Sequence, residues 1–135
     1  MASGTILVVD DSAESRELVV DVLTASGYVV LEAEDGAELL ERAKRERPAL
    51  ILLDLQLPGM DGFTLARQLK ADPETKGIPI LAVSAYAMPE HQARALAAGC
   101  DGYLPKPVNI RDLTETVAHM LRCDPPSSPG GAASA

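Results

Sequence analysis

Several apolar runs in this sequence end on groups that can do chemistry. "TILVVD" leads into Asp10 and Asp11, "ALILLD" into Asp54, "IPILAVS" into Ser84, and "GYLPK" passes through Tyr103 to Lys106. A carboxylate costs several kcal/mol to bury without partners, so a buried run that ends on one needs a reason. If these runs are parallel strands of an open sheet, their carboxyl ends share one edge, where the ligand crevice of such sheets lies. Three carboxylates about 4 Å apart would repel by a few kcal/mol per pair at an effective dielectric near 20. Mg²⁺ suits that cluster, because it prefers hard oxygens, takes one or two protein carboxylates and accepts a phosphate oxygen. Lys106 would bring a second positive charge to a phosphoryl group. Between them Asp54 could act as a nucleophile toward phosphorus and form an aspartyl phosphate. The Ser84 hydroxyl could then donate to a phosphoryl oxygen, and the added charge could draw a loop inward.

Taken singly, each residue has an ordinary explanation. Asp after a strand is often a turn former or a helix cap. A lone Ser84 would be a loop hydroxyl, Lys106 a solvated surface lysine, and Tyr103 a half-buried aromatic with its hydroxyl in water. Independent causes, however, need not place all of these groups on the same edge.

The elements that must position them follow from apolar spacing. Strands are expected at 5–10, 28–33, 49–54, 78–84 and 102–106, rich in Val, Ile and Leu and bounded by Gly, Pro or Asp. The first, third and fourth lack polar alternation, as strands covered on both faces do. Helices are expected over about 13–26, with Leu18, Val19, Val22 and Leu23 on one face between a Ser12 cap and Gly27, and over 36–47. A third runs over 62–71 behind Asp61 with Leu65, Ala66 and Leu69 inward, and a last over 110–122 behind the cap Asn109, with Leu113, Val117, Met120 and Leu121 toward the core. Strict alternation of strand and helix implies an α/β doubly wound sheet. The segment "MPEHQARALAAG" has Leu96 as its one large aliphatic residue after the first turn, so it is expected to be a weakly anchored helix that moves easily.

Composition narrows the function classes. At 135 residues the chain has the length of one domain, and its net charge of -8 with a pI near 4.6 argues against a nucleic-acid footprint and an anionic membrane surface. Cys100 and Cys123 form no CxxC pair, and His91 and His119 do not join them at zinc-ligand spacing. "MASGTILVVDDS" lacks a basic region followed by a long apolar one, so a cytoplasmic location is expected. The folded domain is expected to span 1–123, with the Pro, Ser, Gly and Ala stretch of 124–135 a disordered tail or the start of a linker.

With those residues in place, the sequence resembles the receiver domain of two-component response regulators over about residues 4–122. The resemblance rests on "VVDDS", "ILLDLQLPGMDG", "VSAYA" and "GYLPKP", in that order and spacing. It implies a flavodoxin-like fold of five strands in the order 2-1-3-4-5. It implies Asp54 as phosphoacceptor, Asp10 and Asp11 with Asp54 and the Gln56 backbone carbonyl as Mg²⁺ ligands, Ser84 and Tyr103 as a switch pair, and Lys106 as the phosphate-binding lysine. A cis peptide between Lys106 and Pro107 is also implied. A sensor histidine kinase or histidine phosphotransferase would donate the phosphoryl group, and the face made by the fourth helix, fifth strand and fifth helix would meet a downstream protein. The alternatives are a receiver cut from a hybrid kinase or longer regulator, and a receiver-like module that binds proteins without being phosphorylated.

Two rivals fit less well. Haloacid dehalogenase-like phosphohydrolases need a second Asp two residues after the nucleophile, where Asp54 is followed by Leu55 and Gln56. A nucleotide or flavin binder would need GxGxxG, GxxxxGK[ST] or a Ser/Thr-rich phosphate loop, none of which is present. Gln56 and Tyr86, each two residues beyond a site residue, would flank the path of the water that attacks the phosphoryl group. Tyr86→Ala is therefore expected to speed loss of the phosphoryl group, followed as decay of the phosphorylated mass; unchanged or slower decay would refute it.

Overall fold

The computed structural model describes residues 4–10, 12–56, 61–85, 89–106 and 108–122. Five strands and five helices alternate along them: β1 (Thr5–Val9), α1 (Ala13–Ala25), β2 (Val29–Ala33), α2 (Gly36–Glu46), β3 (Leu50–Asp54), α3 (Gly62–Ala71), β4 (Ile80–Ser84), α4 (Pro89–Ala97), β5 (Gly102–Pro105) and α5 (Ile110–Arg122). All strand pairs are parallel, in the order β2-β1-β3-β4-β5. The doubly wound α/β sheet of the sequence reading is present. Asp11, Tyr86, Pro107 with the Lys106–Pro107 peptide, and the 124–135 tail lie outside the described residues.

Burial follows position in the sheet. β3 and β4 are buried at every residue and β1 at all but its first, whereas the edge strands β2 and β5 are partly open. Successive side chains alternate between two apolar clusters, as strand pleating requires. Leu7, Val9, Ile51, Leu53, Ile80 and Ala82 pack toward α2, α3 and α4, where they meet Leu39, Leu65, Leu69 and Ala95. Ile6, Val8, Leu50, Leu52, Leu81 and Val83 pack toward α1 and α5, against Val19, Leu23, Leu113 and Val117. Each fully buried aliphatic side chain contributes roughly 1.5–3 kcal/mol, so the two clusters dominate the stability.

Local signals set the helix ends. Ser12 caps α1 by accepting from the Ser15 N–H, Asp35 caps α2 through the Glu38 N–H, and Asp61 caps α3 through the Phe63 N–H. Asn109 Oδ1 accepts from the N–H groups of Arg111 and Asp112 at the start of α5. One residue departs from the sequence reading: Leu18 is not inward but 39% exposed. The stripe of α1 that meets the sheet is narrow, with Val19 and Leu23 buried one turn apart and Val22 only partly covered, so Leu18 falls at its rim. The thin anchoring of α4 goes further than its sequence suggested, because Leu96 is 50% exposed and Ala95 is the buried residue of the helix. Arg94 adds a cation–π contact over Phe63, 4.2 Å from the ring centre.

Gly62, the first residue of α3, is seated directly on the end of β3. A Cβ there would lie 2.4 Å from Leu55 Cα and 2.9 Å from its carbonyl oxygen, both backbone atoms that cannot swing aside. A Cβ at Gly77 would meet nothing within 4 Å. Gly62→Ala is therefore expected to lower stability by about 2–3 kcal/mol in urea unfolding. Gly77→Ala, the control, is expected to stay within about 0.5 kcal/mol of the parent.

Candidate functional site

The carboxyl edge of the sheet gathers the chemical groups. Asp54 is the last residue of β3, Asp10 follows β1, and Lys106 follows β5. Both carboxylates are buried, Asp10 to 4% exposure and Asp54 to 2%. Pleating decides which side they take. Asp10 continues the parity of Ile6 and Val8, Asp54 that of Leu50 and Leu52, and Lys106 that of Leu104, all on the α1 and α5 side. Val8, Val19, Leu52 and Val83 form an apolar floor beneath the two acids.

Lys106 joins the acids across the sheet. From the end of β5 its ammonium reaches past β4 to Asp54 Oδ2 at 3.1 Å and to Asp10 Oδ2 at 3.3 Å and Oδ1 at 3.4 Å. Backbone N–H groups also hold Oδ1 of each acid. Asp54 Oδ1 accepts from the Gln56 N–H at 2.9 Å, and Asp10 Oδ1 accepts from the Ser12 N–H at 2.9 Å. Burial pushes the Asp54 carboxyl above its ordinary 3.8 and the Asp10 charge adds to that, against the pull of the Gln56 N–H and Lys106. Burial opposes the charge on Lys106, yet the hydrogen bond to Asp54 and the charges of both acids outweigh it and raise its pKa above 10.5.

Ser84 and Tyr103 belong to the other side. Ser84 follows Ile80 and Ala82, which pack toward α3 and α4, and is fully buried. Tyr103 packs against the same cluster from β5, partly buried. The two sides are tied where Lys106 N–H donates to the Ser84 carbonyl at 2.8 Å. Of the residues singled out from sequence, Asp10, Asp54 and Lys106 are in direct contact, Gln56 and Ser84 bond to them through the backbone, Tyr103 lies on the opposite side of the sheet, and Asp11, Tyr86 and Pro107 are outside the described residues. No group of three or more His, Cys, Asp or Glu gathers among the described residues.

Two contacts were not legible in the sequence. Gln56 Oε1 accepts from the Ala85 N–H at 2.8 Å, so the residue after Leu55 ties the end of β3 to the end of β4. Arg16, on α1, donates to the Asp10 carbonyl at 2.6 Å and to Glu32 at 3.0 Å. A cation in the opening turns of a helix runs against the helix dipole, and that was the signal available for Arg16.

Residues 6–118 match the model of the response regulator receiver domain. The chain belongs to that family. A polar-differentiation response regulator, DivK, of Brucella anthropi is 36% identical over 87% of this chain and 95% of its own length. Among solved structures, the chemotaxis response regulator CheY4 of Vibrio cholerae superposes with a TM-score of 0.83 at 33% identity, covering 88% of this chain and 99% of that one. The signal receiver domain of a histidine kinase from Syntrophus aciditrophicus gives a TM-score of 0.83 at 30% identity, covering 93% and 96%. Receiver domains act in two-component signalling and generally bind Mg²⁺ at an acidic pocket. The donor set here fits such an ion, since oxygens of Asp10 and Asp54 converge on one point, the Lys106 ammonium, and both are hard ligands. No helix among the described residues of this receiver is long and apolar enough to cross a membrane.

The paired charges make stability depend on pH. The raised pKa of Asp54 means the folded carboxyl holds its proton more tightly than the unfolded one, so its contribution is greatest below 3.8 and falls as pH rises through the higher folded value. The raised pKa of Lys106 works in the opposite range, stabilising the fold below 10.5 and losing effect as pH climbs past its folded value. At pH 7, Lys106→Met is expected to cost about 3 kcal/mol in urea unfolding by leaving two buried carboxylates without their cation. That deficit should shrink as pH falls toward the carboxyl range, and Asp54→Asn should raise the urea midpoint at pH 7. A Lys106→Met protein as stable as the parent at pH 7 would refute the assignment.

Proposed function

We propose that this receiver domain is a phosphorylation-dependent signalling switch whose phosphoacceptor is Asp54. The observation that carries the reading is the Lys106 ammonium spanning from β5 to Asp54 and Asp10. A surface lysine gains little from an ion pair, whereas one that bridges two buried acids is held ready for a group that carries more negative charge. Asp10, Asp11, Asp54 and the Gln56 carbonyl would hold Mg²⁺, which when bound supplies positive charge to the transferring group and fixes its oxygens.

The chain's own residues divide the remaining work. An Asp54 carboxylate oxygen attacks phosphorus, the bond from phosphorus to the donor's histidine nitrogen breaks, and the electron pair leaves with that nitrogen. The Gln56 N–H on Oδ1 and Lys106 on Oδ2 fix the carboxylate's orientation before attack, and Lys106 can then turn its charge to the phosphoryl oxygens. Water would later attack phosphorus and release Asp54, and Gln56 and, from its place in the sequence, Tyr86 are proposed to tune that step. Ser84, buried at the end of β4, would follow the new charge and Tyr103 would turn with it, both on the side where α4 buries Ala95 and sets Arg94 over Phe63. That supports a population shift of the α4-β5-α5 face.

A sensor histidine kinase or histidine phosphotransferase is the proposed donor, and a downstream protein the proposed partner of that face, with a cytoplasmic location. The likeness extends both to a response regulator matched over 95% of its length and to the receiver domain of a histidine kinase, so a stand-alone regulator and a piece of a longer protein both fit. Incubation with a small acyl phosphate and Mg²⁺ should add one acid-labile phosphoryl group to the parent, read by intact mass, and none to Asp54→Asn. Removing Mg²⁺ with a chelator should abolish the adduct. Absence of any adduct on the parent would instead mark a receiver-like module that only binds proteins.

A further inference from the structure

Arg16 lies outside the set of side chains that the proposed chemistry uses, yet it is fastened to them. It stands four residues after the Ser12 cap, and because helical side chains lean toward the N-terminus, its guanidinium reaches back over the start of α1. There Nη1 donates to the Asp10 carbonyl at 2.6 Å while Nε donates to Glu32 Oε1 at 3.0 Å. The Arg16 side chain is only 17% exposed, well below the 49% of Glu32. So placed, a cation opposes the helix dipole, and its two hydrogen bonds are what offset that.

The carbonyl it holds belongs to the peptide that joins Asp10 to Asp11. The Asp10 side chain is restrained separately, by the Ser12 N–H on Oδ1 at 2.9 Å. Glu32 stands on β2 in register with Val8, so it anchors the guanidinium to the strand beside β1 rather than to α1 itself. The planar fork of an arginine keeps its two donors in fixed relation, which makes the unit a clamp between β2, the end of β1 and α1.

We propose that Arg16 is a positioning residue for the acidic pocket: it holds the Asp10 carbonyl and so fixes the backbone from which the Asp10 carboxylate leaves toward Asp54 and Lys106, and Glu32 fixes Arg16. The inference rests on the Mg²⁺-binding role proposed above for those acids.

The test is calorimetric titration of the full chain with Mg²⁺ for the parent, Arg16→Ala, Arg16→Lys and Glu32→Gln, with urea midpoints measured alongside. Arg16→Ala is expected to weaken Mg²⁺ binding by about 10-fold, the scale seen when a group that orients a metal ligand is removed. Arg16→Lys, which keeps the charge but cannot hold both acceptors in one plane, should recover part of that loss, and Glu32→Gln should weaken binding less than Arg16→Ala. A merely structural arginine would lower the urea midpoint and leave the Mg²⁺ affinity of the folded protein unchanged, and that result would overturn the proposal. Should Arg16→Ala fail to fold, the other two variants decide, because unchanged affinity in both has the same meaning. A parent that takes up no Mg²⁺ would remove the metal-binding reading and this inference with it, whereas a parent that binds and an Arg16→Ala protein that binds equally well would remove this inference alone.

Discussion

One ammonium reconciles two buried carboxylates at the end of a parallel sheet, and the rest of the molecule is arranged around that fact. Asp54 and Asp10 are too buried to be hydrated like surface acids, and they stand on adjacent strands where their charges oppose each other. Lys106 meets both within 3.4 Å, from two strands away for Asp54 and three for Asp10. Such an arrangement demands a rigid sheet, because an error of an ångström in the register of β3 against β1 would part the acids from their shared cation. The full burial of β3 and β4 supplies that rigidity, and the seat of Gly62 against Leu55 fixes where the chain turns into α3.

Strand pleating sets the buried charges and the Ser84–Tyr103 pair on opposite sides of the sheet. Asp10, Asp54 and Lys106 fall on the parity that packs toward α1 and α5, whereas Ser84 and Tyr103 fall on the parity that packs toward α3 and α4. Groups that cross the sheet edge join the two sides: among the described residues the Lys106 N–H meets the Ser84 carbonyl, and the Gln56 side chain meets the Ala85 N–H. Both involve residues already at the site, so no long relay is needed between the carboxylate and the start of the segment leading to α4.

Much of this was legible in the sequence, for identifiable reasons. Uninterrupted runs such as "ILVV" and "LILL" mark strands covered on both faces, and each observed strand lies within one or two residues of its predicted span. Ser12, Asp61 and Asn109 announced helix starts because a side-chain acceptor there satisfies otherwise unpaired N–H groups. What stayed hidden depended on tertiary placement. Leu18 has the same spacing and hydrophobicity as its buried neighbours, and only the narrow contact of α1 with the sheet leaves it outside. The long-range side-chain contacts of Arg16 and Gln56 also stayed hidden, since sequence spacing alone does not reveal that one reaches a carbonyl six residues back and the other an amide 29 residues ahead.

The uneven anchoring of the helices is the other half of the design. α3 has five buried residues, including Phe63, Leu65 and Leu69, and cannot shift without opening the core. α4 buries Ala95 and holds to α3 through a cation over a ring, an interaction of about 0.5–2 kcal/mol. A phosphoryl group adds nearly two negative charges at pH 7, and each new charge-assisted hydrogen bond it draws in contributes about 1.5–3 kcal/mol. That range is comparable to what holds α4 and far below what holds α3 or the central strands. On the proposed assignment, a phosphoryl charge at Asp54 would therefore act on the thinly held helix before it disturbed the central strands that carry the site.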